Sequence, residues 1–319
     1  MKISLEKTAH ILKNADNIAI LIHHFPDGDT IGCGYSLCRA LQNQGKNVRV
    51  ECADKVGDQY GYITENFKFD QFKPDFVVAV DVAAKSLLGD LKEKYPKIDL
   101  CIDHHSTNEF YAENTYVDSK SAAACEIVYE LCKMLDGIDL VQASALYTGI
   151  STDTGCFKFS NTTAKTHRIA ADLMDMGVDY AEINRIMFDT KSKARMQVEK
   201  DALNSIKFLC DNKVAIMTIT KESRLSSGAK DSELEGITGL PRTIEGVILG
   251  ITIRERDDTN ICKISARSNP PVSASEFCAR FGGGGHERAA GCEIKEPKEN
   301  ALKILSESAE KMFKELGLN

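Results

Sequence analysis

A histidine and two aspartates stand close together at His23, Asp27 and Asp29, with Gly28 between the acids and Pro26 fixing their approach. Two carboxylates so near each other repel and resist ionisation unless a cation neutralises them, so a metal is the simplest reason for the pattern. Read without a metal, the same segment is a polar loop whose aspartates cap a helix. Further along, Asp81 follows the apolar run 76–80, and Asp103-His104-His105 follows the run 100–102. Asp153 lies within Gly149-Ile150-Ser151-Thr152-Asp153-Thr154-Gly155. Carboxylate oxygens with imidazole nitrogens and no cysteine suit Mn²⁺ best, with Mg²⁺, Co²⁺ or Zn²⁺ as substitutes. The number of such residues suggests two ions.

Something must bring these distant residues together, and the apolar runs that precede them supply it. The runs 18–22, 76–80 and 100–102 are too short for helices and read as strands, ending at His23, Asp81 and Asp103; a weaker candidate covers 48–52. Helical spacing recurs between and after them, at 35–43, 122–135, 141–149, 165–176 and 181–187. Strand alternating with helix predicts an α/β fold with a mainly parallel sheet. Ligands of such sheets gather beyond the carboxyl ends of the strands, where His23, Asp81 and Asp103 would lie.

This first domain is expected over 1–190, followed by a polar linker helix over 191–212 and a smaller α/β domain over 213–319. In the second domain the runs 214–220, 247–255 and 261–267 read as strands, and 273–281 as a helix before a glycine run, a short strand and a final helix. The stretch 221–239, rich in serine, glycine and charge, reads as a mobile surface segment.

Composition narrows the classes of function. The chain has 319 residues and a formal net charge of -7, which argues against electrostatic capture of long duplex nucleic acid. The opening residues are polar, and no apolar run reaches the roughly eighteen residues of a membrane span. A cytoplasmic protein, neither exported nor membrane-bound, is expected. The eleven cysteines are scattered without any Cys-x-x-Cys pair. Reduced, packed thiols are the expectation, with Cys101, Cys125 and Cys132 as examples, and a cysteine-based zinc site is disfavoured.

Taken in order, His23-x-x-x-Asp27-x-Asp29, Asp81, Asp103-His104-His105 and Asp153 resemble the four motifs of the DHH phosphoesterases. In the second half, Gly282-Gly283-Gly284-Gly285-His286-Glu287-Arg288-Ala289-Ala290-Gly291 resembles the glycine-histidine signature of the DHH-associated domain. That run lacks the Gly-Lys-Ser/Thr ending of a phosphate-binding Walker loop, and it follows a helix where a dinucleotide-binding fingerprint would open one. The resemblance implies a first metal on His23, Asp27 and Asp81, and a second on Asp29, Asp81, His104 and Asp153, with Asp81 shared. It implies catalytic roles for His105, facing the substrate phosphate, and for Asp103, orienting a histidine. Arg267 and Ser268 resemble the family's substrate-binding strand end, and Gly283, Gly284, Gly285 and His286 would meet a phosphate or ribose edge. Phe25 departs from the pattern, since many members carry a polar residue before the motif proline.

Within the family, the size and domain order resemble enzymes that degrade very short RNA and dephosphorylate 3'-phosphoadenosine 5'-phosphate, abbreviated pAp. The expected partners are thus short oligonucleotides or small phosphorylated nucleotides, attacked directly by metal-activated water. Homodimerisation is left open. Hydrolysis of cyclic di-AMP or its linear product pApA is the nearest alternative. Long-substrate exonucleases and inorganic pyrophosphatases fit less well, and a nucleotide-binding regulator without catalysis is disfavoured by the intact candidate ligands.

Overall fold

The computed structural model describes residues 1–135, 137–257 and 260–318, with side chains at all of these positions except 232 and 235. The chain divides into two compact units, Met1–Thr190 and Lys191–Asn319.

Unit one is built on five parallel strands in the order β2-β1-β3-β4-β5. They are β1 (Ile18–Leu21), β2 (Val48–Glu51), β3 (Phe76–Val80), β4 (Leu100–Asp103) and β5 (Asn114–Val117). Ile18, Ile20, Val78, Val80, Leu100 and Ile102 are buried on one face, and Ala19, Leu21, Val77, Ala79 and Cys101 on the other. Burial on both faces is why these runs show no polar alternation. β5 carries the sequence Asn-Thr-Tyr-Val, too polar to stand out as a strand.

Because the chain leaves β1 toward β2 on one side and reaches β3 on the other, a crevice opens between the carboxyl ends of β1 and β3. The helix Gly28–Asn43 begins there, seven residues earlier than its sequence pattern shows over 35–43. Its first turns carry Gly28, Gly32 and Gly34, which weaken a helical signal but allow close approach. A Cβ on Gly28 would lie 2.3 Å from Thr152 Oγ1, and one on Gly32 would lie 2.5 Å from the Ala145 carbonyl oxygen. These glycines let Gly28–Asn43 pack directly on the helix Leu140–Asp153. The helix Ala124–Leu135 completes the same layer, with Cys125, Val128 and Cys132 buried in it.

Unit two holds a six-stranded mixed sheet in the order β10-β11-β9-β8-β7-β6. Its strands are β6 (Lys207–Leu209), β7 (Val214–Ile219), β8 (Leu249–Glu255), β9 (Cys262–Ser268), β10 (Gly284–His286) and β11 (Ala289–Ile294). Only β7 and β8 run parallel; the other neighbours are antiparallel. One face is covered by Ala274–Ala279 and Lys298–Glu315, whose Phe277, Leu305 and Phe313 are fully buried against Ile251, Ile264 and Ala266.

Two expectations are corrected here. A helix over 191–212 is observed only as Lys193–Asn204, and β6 takes Lys207–Leu209. Only Val198 and Ala202 of that helix are buried, against Met217 and Ile219 in unit two. The stretch 221–239, expected as a mobile surface segment, forms the helices Lys221–Ser227 and Asp231–Leu234 and buries Ala229, Leu234 and Ile237 in the same cluster. Its few apolar residues are spaced among charges, so the pattern hides how they converge. All eleven cysteines are free thiols, eight of them buried, as packing residues would be.

Candidate metal centre and phosphate cleft

Four segments of unit one deliver their polar residues to the crevice. His23 follows β1, and its Nδ1 lies 2.8 Å from the His24 carbonyl oxygen. An oxygen can only accept, so Nδ1 carries a proton and Nε2 is left facing Asp27 Oδ1 at 3.6 Å and Asp81 Oδ2 at 3.7 Å. Asp27 caps the helix Gly28–Asn43, accepting from the N–H groups of Asp29 and Thr30. The capping and metal readings of this residue are therefore compatible, since one oxygen caps while the group still faces His23.

Asp29 lies in the first turn of that helix, and both its oxygens accept backbone N–H groups, from Ala124 at 2.7 Å and Cys125 at 2.9 Å. It thereby supplies negative charge at the start of Ala124–Leu135. Gly149 matters here: a Cβ at that position would lie 2.9 Å from Asp29 Oδ1 and 2.3 Å from Cys125 Sγ.

Asp81 sits at the centre. It leaves β3 with φ of 56°, a left-handed conformation uncommon for a residue with a side chain. It is only 3% exposed, and its Oδ1 has no hydrogen-bond partner. Burial, together with the charges of Asp29, Asp27, Asp103 and Asp153, pushes its carboxyl well above the usual range. Asp153 closes the helix Leu140–Asp153, the end where a carboxylate meets the negative pole of the helix dipole. Burial and the charges of Asp29 and Asp27 push its pKa up to about 8.

His104 and His105 extend from β4. His104 Nε2 lies between Asp81 Oδ1, Asp153 Oδ2 and Asp29 Oδ2, at 3.6, 3.7 and 3.8 Å. His105 Nδ1 is 2.8 Å from Asp103 Oδ1. The hydrogen bond to Asp103 raises the His105 pKa more than burial lowers it. Burial would push Asp103 up, but hydrogen bonds from His105 and Asn108 outweigh it and hold the carboxyl low.

Ligand atoms converge in His23-Asp27-Asp81, in Asp81-His104-His105 and in Asp29-His104-Asp153. Gaps of 3.6 to 3.8 Å are too long for hydrogen bonds, and the buried Asp81, whose Oδ1 has no hydrogen-bond partner among the described residues, faces His23 through Oδ2 and His104 through Oδ1. Hard oxygens and imidazole nitrogens facing an uncompensated excess of negative charge fit divalent cations. Asp29 also lies beside the Cys33 and Cys125 thiols, which are 3.5 Å apart beneath it.

Asn108 was invisible as a site residue in the sequence. Its Nδ2 donates to Asp103 Oδ2 at 2.6 Å, so Asp103 is fixed by Asn108 on one oxygen and by His105 on the other. An asparagine five residues after a motif aspartate was the only available signal.

In unit two, Arg267, Gly283, Gly284 and Gly285 line a cleft of about 800 Å³ on the other face of the sheet, which Lys193–Asn204 covers over β7 and leaves open toward β9 and β11. A Cβ at Gly283 would lie 2.3 Å from the Gly291 carbonyl oxygen, and Gly285 has φ of 145°. The β10 turn thus hugs β11 and leaves its backbone open. Ser268 is a correction to the expected substrate contacts. It is fully buried, its Oγ donating to the Glu287 carbonyl and accepting from the Ala274 N–H. Strand alternation turns Arg267 to the cleft and Ser268 to the core. His286 is exposed on β10 and does not line the cleft.

The family model described as DHH family, N-terminal domain, matches residues 17–150, and the DHHA1 domain matches 211–315. A relative from Thermus thermophilus, "Bifunctional oligoribonuclease and PAP phosphatase NrnA", is 32% identical over 299 residues, which cover 90% of this chain and 87% of the relative. The chain belongs to the DHH family. It is a phosphoesterase, an enzyme acting on ester bonds. Among solved structures, an exopolyphosphatase-related protein from Bacteroides fragilis is 25% identical with a TM-score of 0.86, covering 98% of this chain and 96% of that one. RecJ from Thermus thermophilus in complex with Mn²⁺ is 14% identical with a TM-score of 0.55, covering 97% of this chain and 55% of that one; it shares the DHH fold. No helix among the described residues is long and apolar enough to cross a membrane.

Proposed function

We propose that this DHH enzyme hydrolyses short oligoribonucleotides and pAp, using two divalent cations, Mn²⁺ by preference. The observation that carries the reading is Asp81, a buried carboxylate with an unpartnered oxygen, lying between His23 and His104. His23, Asp27 and Asp81 would hold one ion; Asp29, Asp81, His104 and Asp153 would hold the other. Such ions supply an activated water near neutral pH and offset the charge of the phosphate. The activity named for the Thermus thermophilus relative, at 32% identity over nearly the whole chain, supports the choice of substrates.

The chain's own residues do the rest. With Nδ1 committed to Asp103, His105 has Nε2 free to donate to a phosphate oxygen, and its raised pKa favours the imidazolium that makes this bond charge-assisted. Asn108 and Asp103 hold that imidazole in place. Ser151 and Thr152 both donate to the Thr148 carbonyl, and Ser151 is fully buried, which supports water as the attacking group. Arg267 and the open backbone at Gly284 would receive a further phosphate or ribose.

The test is product formation from pAp, short RNA, pApA and cyclic di-AMP under matched Mn²⁺, with a chelated control and Asp81→Ala. Turnover of pAp and short RNA that disappears in both controls is the expected result. A marked preference for cyclic di-AMP would replace the substrate reading, and activity surviving chelation would overturn the metal reading.

A further inference from the structure

The cleft of unit two holds more positive charge than one phosphate contact needs. Arg254 on β8 is the direct cross-strand neighbour of Lys263 on β9, and both line the cleft. Lys263, Ser265 and Arg267 alternate along β9 and share its uncovered face, while Ile264 and Ala266 point into the core. Between the two cationic ends the floor is made of small residues, with Gly291 opposite Ser265 and Ala289 opposite Arg267. A strand rises about 3.3 Å per residue, so Lys263 and Arg267 stand about 13 Å apart, further than one phosphate group can span.

Two acids lie near this track, Glu293 and Asp231. Glu293, which also lines the cleft, pairs with Arg256 at 2.8 Å. Arg254 lies 3.3 Å from Asp231, an exposed carboxylate whose surface pairing is weak in water. Lys263 stands opposite Glu293 in the β9–β11 register and makes no ion pair within 4.0 Å among the described residues.

We propose that Lys263 and Arg254 form a second phosphate subsite, separate from Arg267, that grips a more distant phosphodiester of a short RNA. This rests on the oligonucleotide reading above and adds to it a residue pair that selects for length. A dinucleotide such as pApA reaches Arg267 alone, whereas a pentanucleotide lies along the small-residue floor and reaches both. A row of cations spaced along an open groove is how sequence-independent single-strand binding works.

The test is affinity of the full-length protein for pApA and for 5'-phosphorylated pentaadenylate, in EDTA, across a salt series. The wild type should bind the pentanucleotide about tenfold more tightly. Arg254→Gln with Lys263→Gln should bring that ratio near one, leave pApA within twofold, and flatten the pentanucleotide's log-log salt slope by about 1.4, for two lost single-strand contacts. Lys303→Gln, a charge loss on the helix Lys298–Glu315, should change neither. No length preference in the wild type, equal weakening of both ligands, or an equal loss in Lys303→Gln would each overturn the subsite. Hydrolysis assayed alongside separates the two ideas: selective binding loss without turnover of RNA or pAp by the wild type sinks the proposed function and leaves the subsite standing.

Discussion

The two halves of this chain accumulate charge of opposite sign by opposite means. Unit one collects Asp27, Asp29, Asp81 and Asp153 at the carboxyl edge of a buried parallel sheet, around imidazoles that leave gaps of 3.6 to 3.8 Å. Unit two spreads the Arg254–Lys263 pair and Arg267 along the open part of one face of a mixed sheet, with small residues between the pair and Arg267. A parallel sheet covered on both faces can place polar groups only at its ends, so they crowd and demand a compact counter-charge. An antiparallel face left uncovered can line charges up at strand spacing, which suits an extended anion. One half crowds its carboxylates together and the other spaces its cations along strands.

The comparison breaks first at Asp81. Asp81→Ala should lower kcat by about a thousandfold or more, the several kcal/mol of charge stabilisation a metal site provides. Manganese stoichiometry by calorimetry should fall with it, and a near-wild-type rate would remove the basis for a shared ligand. Asn108→Ala should be milder, costing about 10- to 100-fold in rate as an orienting partner lost behind Asp103, with metal content unchanged. Loss of metal instead would mean that Asn108 supports the ligands themselves.

Stability should reveal the same excess of negative charge. Asp81 and Asp153 have folded pKa values raised above their unfolded values, so the folded state binds more protons between about pH 4 and 8. The chelated protein should therefore lose melting temperature as pH rises through that window, and Mn²⁺ should flatten the profile. Asp81→Asn should raise the melting temperature of the chelated protein at pH 8 while abolishing turnover. A chelated protein whose stability is flat from pH 5 to 8 would contradict the electrostatic account.

The smallest effect is expected at Ser268. Ser268→Ala removes two buried hydrogen bonds and should cost about 1–3 kcal/mol in denaturant unfolding, with KM for short RNA within twofold. A large KM change with unaltered stability would restore it to the substrate contacts.

Much of the site was legible because chemistry-bearing residues follow uninterrupted apolar runs. His23, Asp81 and Asp103 lie at or just beyond the carboxyl ends of β1, β3 and β4, and the run before each is what a doubly covered strand requires. Less was legible where a residue's neighbour lies far along the chain. Ser268 stands beside Arg267 in the sequence and faces the other way in the strand, while Lys263 and Arg254 became partners only through the β8–β9 register. Asn108 gained its meaning from a single hydrogen bond to Asp103.

The sequence alone determined the alternation of strand and helix, the ordered motifs and so the family, since these depend on local periodicity and on residue type. Tertiary structure decided which oxygen of Asp81 is left without a partner, why Gly28, Gly32 and Gly149 are glycines, and which face of β9 is open. Those are consequences of close packing between segments distant in the chain, where tenths of an ångström and the parity of a strand register fix what each side chain meets.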